Sequence, residues 1–327
     1  MEGFEPASLQ SRFSQLREGL AADVVGQPAL VHRLLLALLA DGHLLVEGAP
    51  GLAKTTAIKE LASRLEADFQ RIQFTPDLLP ADLTGTDVFR PQEGRFEFQQ
   101  GPVFHNLLLA DEVNRAPAKV QSALLEAMGE RQVSVGRTTY PLPELFLVMA
   151  PQNPIEQEGT YPLPEAQLDR FLLHVCIDYP DADAEVRILE LARRRARGGE
   201  RPRQAAELLS TQEVLAARAA VLDVHLAPQV EQYLVELVQA SRKRSRYGQA
   251  LHPLIAFGAS PRGSIALDRC ARANAWLDGR DFVTPDDVQS VAIDVLQHRI
   301  LLSYEAEAEG TRPAEVVRRL LQAVPAP

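Results

Sequence analysis

The amino-acid sequence predicts an α/β fold, with a parallel β-sheet and its helices over residues 1–180 and a smaller all-helical lid over residues 185–327. Three features lead to it. An apolar run, Leu44-Leu45-Val46, passes through a Gly/Pro-rich turn into a helix-forming segment from Lys54 to Leu65. Two further runs, Leu107 to Ala110 and Leu145 to Ala150, are continuously apolar instead of alternating, the pattern of strands buried on both faces of a parallel sheet. From Asp181 onward the strand patterns stop and helical periodicity takes over.

The turn after the first run, Gly48-Ala49-Pro50-Gly51-Leu52-Ala53-Lys54-Thr55-Thr56, fits the P-loop template at every position but one. Gly48 and Gly51 let the backbone turn so that successive N–H groups point inward. The helix N-terminus that follows adds about half a positive charge where phosphates would sit. Lys54 would reach the β- and γ-phosphates, and the Thr55 hydroxyl would join a Mg²⁺ ion already held by phosphate oxygens. The usual second glycine is Ala53, which a helical φ at the first turn would accommodate. A glycine-rich loop that holds nothing is the plain alternative.

The strand Leu107 to Ala110 ends in two adjacent carboxylates, Asp111 and Glu112, and is expected beside the P-loop strand. Ligands of open α/β sheets bind outside the carboxyl ends of the strands. There Asp111 would hold Mg²⁺, directly or through water, and Glu112 would orient and deprotonate an attacking water. Two ionised carboxylates with nothing to pair are costly at a half-buried strand end, so the pair together with the P-loop argues for nucleotide hydrolysis. The run Leu145 to Ala150 delivers Asn153 to the same edge, where it would hydrogen-bond the γ-phosphate or the water; an Asn chosen for turn chemistry before Pro154 is the alternative. Arg170 ends a short helix from Glu165, one residue before the strand Leu172 to Ile177. That places it on the flank of the core, within reach of a neighbour's phosphate or of a local carboxylate such as Asp169 or Glu165.

Composition excludes several classes. The chain has 327 residues, enough for two domains, and 46% of them are apolar. Its longest early apolar run, Leu34 to Ala40, is far short of a membrane span, and residues 1–20 lack a signal-peptide core, so a cytoplasmic protein is expected. The formal charge of −10 argues against a broad nucleic-acid surface. Two basic runs, Arg193 to Arg203 and Arg242 to Arg246, read as solvated helix ends or as phosphate or partner contacts. Two cysteines, Cys176 and Cys270, are expected to be small buried apolar residues, and the seven histidines show no metal-ligand spacing. The one metal expected is Mg²⁺ with nucleotide.

The remaining elements follow in order. A charged helix from Ala7 to Leu20 and the turn Asp23 to Gln27 precede an apolar helix from Pro28 to Ala40, and a strand runs from Asp68 to Phe74. Hairpins are expected near residues 88–99 and 132–142, around Gly94 and Gly136. The lid helices are expected over Glu185 to Ala196, Thr211 to Leu222, Pro228 to Lys243, Pro261 to Leu277, Thr284 to Ser303 and Pro313 to Ala323. Thr284-Pro285-Asp286-Asp287 supplies a cap, a first-turn proline and acids near the dipole.

Gly48 to Thr55, the run Asp111 to Met128, the Ala150 to Pro154 turn, Leu168-Asp169-Arg170-Phe171 and Gly258 to Gly263 together resemble the MoxR branch of the AAA+ ATPases over nearly the whole chain. The resemblance implies a three-layer αβα core with a helical lid, assembled as a homo-oligomeric ring, usually a hexamer, with ATP between neighbours. It makes Lys54 and Thr55 Walker A, Asp111 and Glu112 Walker B, Asn153 sensor 1, Arg170 the arginine finger and Arg262 sensor 2. Val25-Gly26-Gln27 falls where the family contacts adenine, and the two hairpins match inserts that face the pore or client. It further implies a chaperone that matures client complexes or assists their metal insertion, alongside a von Willebrand A domain partner. A metal-chelatase-like subunit, a nucleic-acid motor and a nucleotide-gated scaffold are the alternatives.

Overall fold

The computed structural model describes residues 6–154, 159–197, 208–243 and 245–327. Helices α1 (Pro6–Asp23) and α2 (Pro28–Leu39) precede strand β1 (Leu44–Glu47) and helix α3 (Lys54–Ala62). Strands β2 (Leu65–Glu66) and β3 (Phe69–Gln73), the short α4 (Pro80–Thr84) and the hairpin β4 (Gly85–Arg90) and β5 (Arg95–Gln100) follow. Then come β6 (Leu107–Asp111), α5 (Ala118–Glu130), the hairpin β7 (Gln132–Val135) and β8 (Thr138–Pro141), β9 (Leu147–Gln152), α6 (Glu165–Leu168) and β10 (Leu173–Cys176). The C-terminal part comprises α7 (Ala182–Ala196), β11 (Leu209–Ser210), α8 (Thr211–Leu222), α9 (Pro228–Ala240), β12 (Ile255–Phe257), α10 (Pro261–Leu277), α11 (Pro285–Leu296), β13 (Leu301–Leu302), α12 (Tyr304–Ala308) and α13 (Pro313–Ala323).

Five strands form one parallel sheet in the order β10-β1-β9-β6-β3. Because successive side chains point to opposite faces, each apolar run feeds two cores. Leu44, Val46, Leu107, Leu109, Leu147 and Met149 join the core shared with α1, α2 and α3. Leu45, Leu108, Ala110, Val148 and Ala150 join the core under α5. Continuous hydrophobicity in the sequence is thus two-sided burial in the structure.

One expectation about the sheet is corrected. The P-loop strand β1 is not beside β6, since β9 lies between them, pairing Leu44 with Met149 on one side and Leu147 with Leu107 on the other. From β1 the chain crosses to the far edge at β3 and returns through β6 and β9, so the two strands that flank β1, β9 and β10, are the last of the sheet in sequence. Both expected hairpins are present, and their aromatic side chains join them: Phe98 of β5 stacks on Tyr140 of β8 with centroids 3.9 Å apart.

The C-terminal part is helical, with short strands added. β11 continues the chain onto β2, pairing Leu209 with Leu65, and β12 pairs with β13. The helix begun by Thr284 has the expected capping box with Asp287, but it ends at Leu296, short of Ser303. The α-helix tightens there into a 3-10 turn over Gln297–Arg299, whose three side chains turn to the core. Gln297 Nε2 donates to the backbone carbonyl of His174 at 2.6 Å, His298 Nε2 lies 3.0 Å from the backbone carbonyl oxygen of Phe171, and Arg299 donates to the carbonyls of Phe171 and Leu172. Of the basic runs, Arg242 donates to the carbonyl of Ala259 and Arg246 pairs with Glu236; Arg201, Arg203 and Arg244 lie outside the described residues. Cys270 is buried as expected, but Cys176 is exposed, because it ends an edge strand of the sheet.

Arg299 ties the two parts together. Its side chain is 3% exposed, and its Nε donates to Asp169 Oδ1 at 2.8 Å. Removing one partner of such a pair strands a buried charge, at a cost of about 3 kcal/mol. Asp169→Ala is therefore expected to lower the unfolding free energy read from urea denaturation by that order, while Asp169→Asn, which keeps an acceptor oxygen, is expected to lose less.

Candidate nucleotide site

The site begins with the turn between β1 and α3. Gly51 has φ of 83°, a conformation that L side chains rarely adopt, so the P-loop needs glycine there. Ala53 departs from expectation. Its φ of 58° and ψ of 17° lie in the left-handed region, where it caps α3 without a side-chain hydrogen bond. A non-glycine residue held there costs roughly 1–2 kcal/mol, which the loop sustains in order to enter the helix at Lys54. Pro50 and Gly51 line the resulting cavity, whereas Leu52 is buried in the core behind it and Thr56 continues α3.

Lys54 Nζ donates to the carbonyls of Gly48, Ala49 and Gln152, the last at 3.0 Å, so the ammonium lies between the carboxyl ends of β1 and β9. The cavity above it, about 190 Å³, is lined by Lys54, Thr55, Asp111, Glu112 and Asn153 among others. These residues come from the ends of three neighbouring strands, and the structure brings together all five that the sequence singled out for phosphate, metal and water. Thr55 and Asp111 offer a hydroxyl and a carboxylate, the hard oxygen donors that fit Mg²⁺ bound to phosphates.

The two carboxylates are not left without partners, contrary to the premise used for them. Arg71 Nη2 on β3 contacts Asp111 Oδ2 at 2.6 Å, and Arg115 Nε contacts Glu112 Oε2 at 2.9 Å. Arg71 was missed because its role depends on the β3–β6 register, which sets Gln73 opposite Asp111. Arg115, three residues after Glu112, was legible as a local pair. Both arginines are partly exposed, so each pair is worth at most about 1 kcal/mol and is readily exchanged for another partner. Glu112 itself has φ of 58°, a second left-handed residue on this cavity wall.

The other expected site residues lie elsewhere. Val25-Gly26-Gln27 turns against the segment after β10, where Gln27 Nε2 donates to the Asp178 carbonyl at 2.8 Å. Asp178 lines a second cavity, about 280 Å³, with Gly48, Ala49 and Leu52. Arg170 does not line the phosphate cavity; it is half-buried against α5, with Nη1 donating to the Leu125 carbonyl at 2.5 Å. Neither expected salt bridge describes it: the Asp169 carboxylate accepts from Ser260, Arg262 and Arg299. Arg262, at the start of α10, is exposed and 3.5 Å from Asp169.

At the end of β1, beside the P-loop, Glu47 Oε2 meets His174 Nε2 at 2.9 Å. Burial works against charge on this ring, but the Cys176 thiol and the Glu47 carboxylate outweigh it and raise the imidazole to about 9. The same hydrogen bond lowers the Glu47 carboxyl below its usual range against the effect of burial.

A loop of this kind at one sheet edge, acidic residues at the end of a central strand and a helical lid together define a P-loop ATPase. The model of the ATPase family associated with various cellular activities matches residues 43–173, and that of the AAA lid domain matches residues 248–320. The chain is 46% identical to the Chaperone MoxR1 of Mycobacterium tuberculosis, over 95% of this chain and 85% of that one. It is 35% identical to the Protein MoxR of Paracoccus denitrificans, over 93% of each. A crystal structure from Cytophaga hutchinsonii, of a chain inferred to be an ATPase, superposes with a TM-score of 0.88 at 45% identity, over 98% of this chain and 97% of that one. The chain belongs to the MoxR family of AAA+ ATPases, and it binds and hydrolyses ATP.

Lys54 supplies the point charge nearest the phosphate loop. Lys54→Ala is expected to abolish tight ATP binding while leaving the far-UV circular dichroism unchanged; wild-type affinity in a fluorescent-nucleotide titration would contradict the assignment.

Proposed function

We propose that this chain is the subunit of a cytoplasmic homo-oligomeric ring, a hexamer, that hydrolyses ATP to remodel protein clients and to mature them or assist their metal insertion. In this reading Gly48 to Thr56 cradle the phosphates, Thr55 and Asp111 hold Mg²⁺, and Glu112 activates the water that Asn153 positions. Mg²⁺ would neutralise charge on the transferring phosphoryl group. Arg170 of one subunit completes its neighbour's site, Arg262 reaches the phosphates from the lid, and Val25 to Gln27 border the base. The two units are the core, residues 1–180, and the lid, residues 185–327.

The observation that carries this reading is a division of the chemistry. Lys54, Thr55, Asp111, Glu112 and Asn153 share one cavity, while Arg170 lies on a different flank of the same subunit. Catalysis that needs both is then catalysis between subunits. α7 supports association, with Val186 and Leu189 exposed one helical turn apart on it. The exposed Phe89 and Phe96, 5.2 Å apart near the tip of the β4–β5 hairpin, support contact with a client. The chaperone role and a von Willebrand A domain partner rest on kinship with the MoxR proteins. Among the described residues no helix is long and apolar enough to cross a membrane.

Three measurements test the division. Glu112→Gln is expected to bind ATP like the parent and to stall hydrolysis, because the Mg²⁺ ligand Asp111 remains while the base is lost. Arg170→Ala is expected to lower kcat by on the order of 10³ with little change in ATP affinity. Mixed together, the two inactive proteins are expected to regain activity, since mixed rings contain interfaces with an intact Glu112 on one side and an intact Arg170 on the other. Mixed rings that form and stay inactive at every ratio would sink catalysis between subunits.

A further inference from the structure

Three side chains of metal-binding chemistry meet where β1 and β10 end. Glu47 is the last residue of β1, and His174 and Cys176 are two apart on β10, hence on one face of that strand. The register sets Leu45 opposite His174 and Glu47 opposite Cys176. His174 Nε2 is 2.9 Å from Glu47 Oε2 and 3.9 Å from Cys176 Sγ, and the three donor atoms all lie within 4.8 Å of one another. We propose that Glu47, His174 and Cys176 form a site for a thiophilic divalent cation of the zinc class, next to the P-loop and distinct from the Mg²⁺ position.

The spacing is close to what such an ion demands. Zinc bonds of about 2.3 Å to sulfur and 2.0–2.1 Å to nitrogen, at tetrahedral angles, separate the two donors by roughly 3.6 Å. The observed 3.9 Å is met by a side-chain movement of a few tenths of an ångström. The nitrogen and carboxylate oxygen are closer than that because a proton now joins them, and a cation would take the place of that proton. Thiolate and imidazole select a borderline-soft ion, whereas Mg²⁺ keeps to oxygen. Three protein donors leave a fourth position, for a water or for Gln297, whose Oε1 is 4.0 Å from Cys176 Sγ and whose Nε2 holds the His174 carbonyl at 2.6 Å. Glu47 and Cys176 also line the 280 Å³ cavity beside Gly48 and Ala49, which gives an ion a way in from solvent.

A second function for the cluster, as a simple Glu47–His174 ion pair with an unrelated thiol beside it, makes the opposite forecast for sulfur. The test is a Co²⁺ titration of the reduced, nucleotide-free full-length protein in excess Mg²⁺, read at the sulfur-to-cobalt charge-transfer band. One equivalent is expected to develop the band in the parent and in Cys270→Ser, whose buried thiol serves as the control, and Zn²⁺ is expected to remove it stoichiometrically. Cys176→Ser, at an exposed position, is expected to keep its fold and ATP binding and to lose the band. His174→Ala is expected to weaken Co²⁺ binding by more than about tenfold. The proposal is overturned if the parent gives no band, if the band survives in Cys176→Ser, or if His174→Ala binds Co²⁺ as tightly as the parent.

Discussion

The carboxylate of Asp169 is the constraint on which the arrangement of core and lid depends. It follows α6, just before the edge strand β10, and three groups from the C-terminal part converge on it: Arg299 at 2.8 Å, the Ser260 hydroxyl at 2.9 Å and Arg262 at 3.5 Å. Arg299 is buried, so its charge is tolerable only with that carboxylate and the nearby carbonyls as partners. Arg262 is exposed and its contact long, so it is the one that moves cheaply. Asp169 is thus fixed to the lid by one arginine and touched by another that is free to exchange partners. The residue beside it in the chain is Arg170.

Backbone strain gathers on the nucleotide cavity. Among the described residues four non-glycine positions have positive φ, and two of them, Ala53 and Glu112, belong to the P-loop and to the acidic strand end. Glu112 lies directly between β6 and a helical turn, and Ala53 is the last residue of the P-loop, at the entry to α3. Such conformations persist only where the surroundings over-determine them. Here the two-sided cores beneath β1 and β6 do so, since neither strand can shift without exposing leucines on both faces. The rigidity of the sheet is what lets its carboxyl ends hold strained, chemically useful turns.

Much of this was legible in the sequence, for reasons that differ by element. The P-loop, the acidic pair and Asn153 were readable because a local run of residues encodes each of them and continuous hydrophobicity assigned their strands to a parallel sheet. The order of those strands was not readable, because β6 and β9 are equally apolar and nothing local says which one neighbours β1. The Ala53 conformation and the Arg71–Asp111 contact were hidden because both depend on neighbours far away in sequence. The α-helix begun at Thr284 is shorter than its sequence suggests because Gln297, His298 and Arg299 tighten into a 3-10 turn and meet carbonyls of the core, a tertiary demand that overrides propensity. His174 and Cys176 carried a usable signal, two potential ligands two apart on a strand, which a search for helical histidine spacing does not detect.

Arg170 and Gly129 bring local strain and assembly together. Gly129 lies within α5, where glycine costs about 0.5–1 kcal/mol relative to alanine. A Cβ at that position would sit 2.2 Å from Arg170 Nη1, so the missing methyl is what allows the guanidinium to lie across the helix and donate to the Leu125 carbonyl. An arginine that served only as a surface ion pair would need no such accommodation, since a long flexible side chain finds carboxylates at little cost and with little gain. The bare helix surface leaves room for the guanidinium beside a cavity lined by Ser122, Glu126 and Gln167. A group that must meet a phosphate across an interface loses less entropy on contact when it is already positioned. The cost carried at Gly129 therefore argues that the position of Arg170, and not merely its charge, is what the fold maintains.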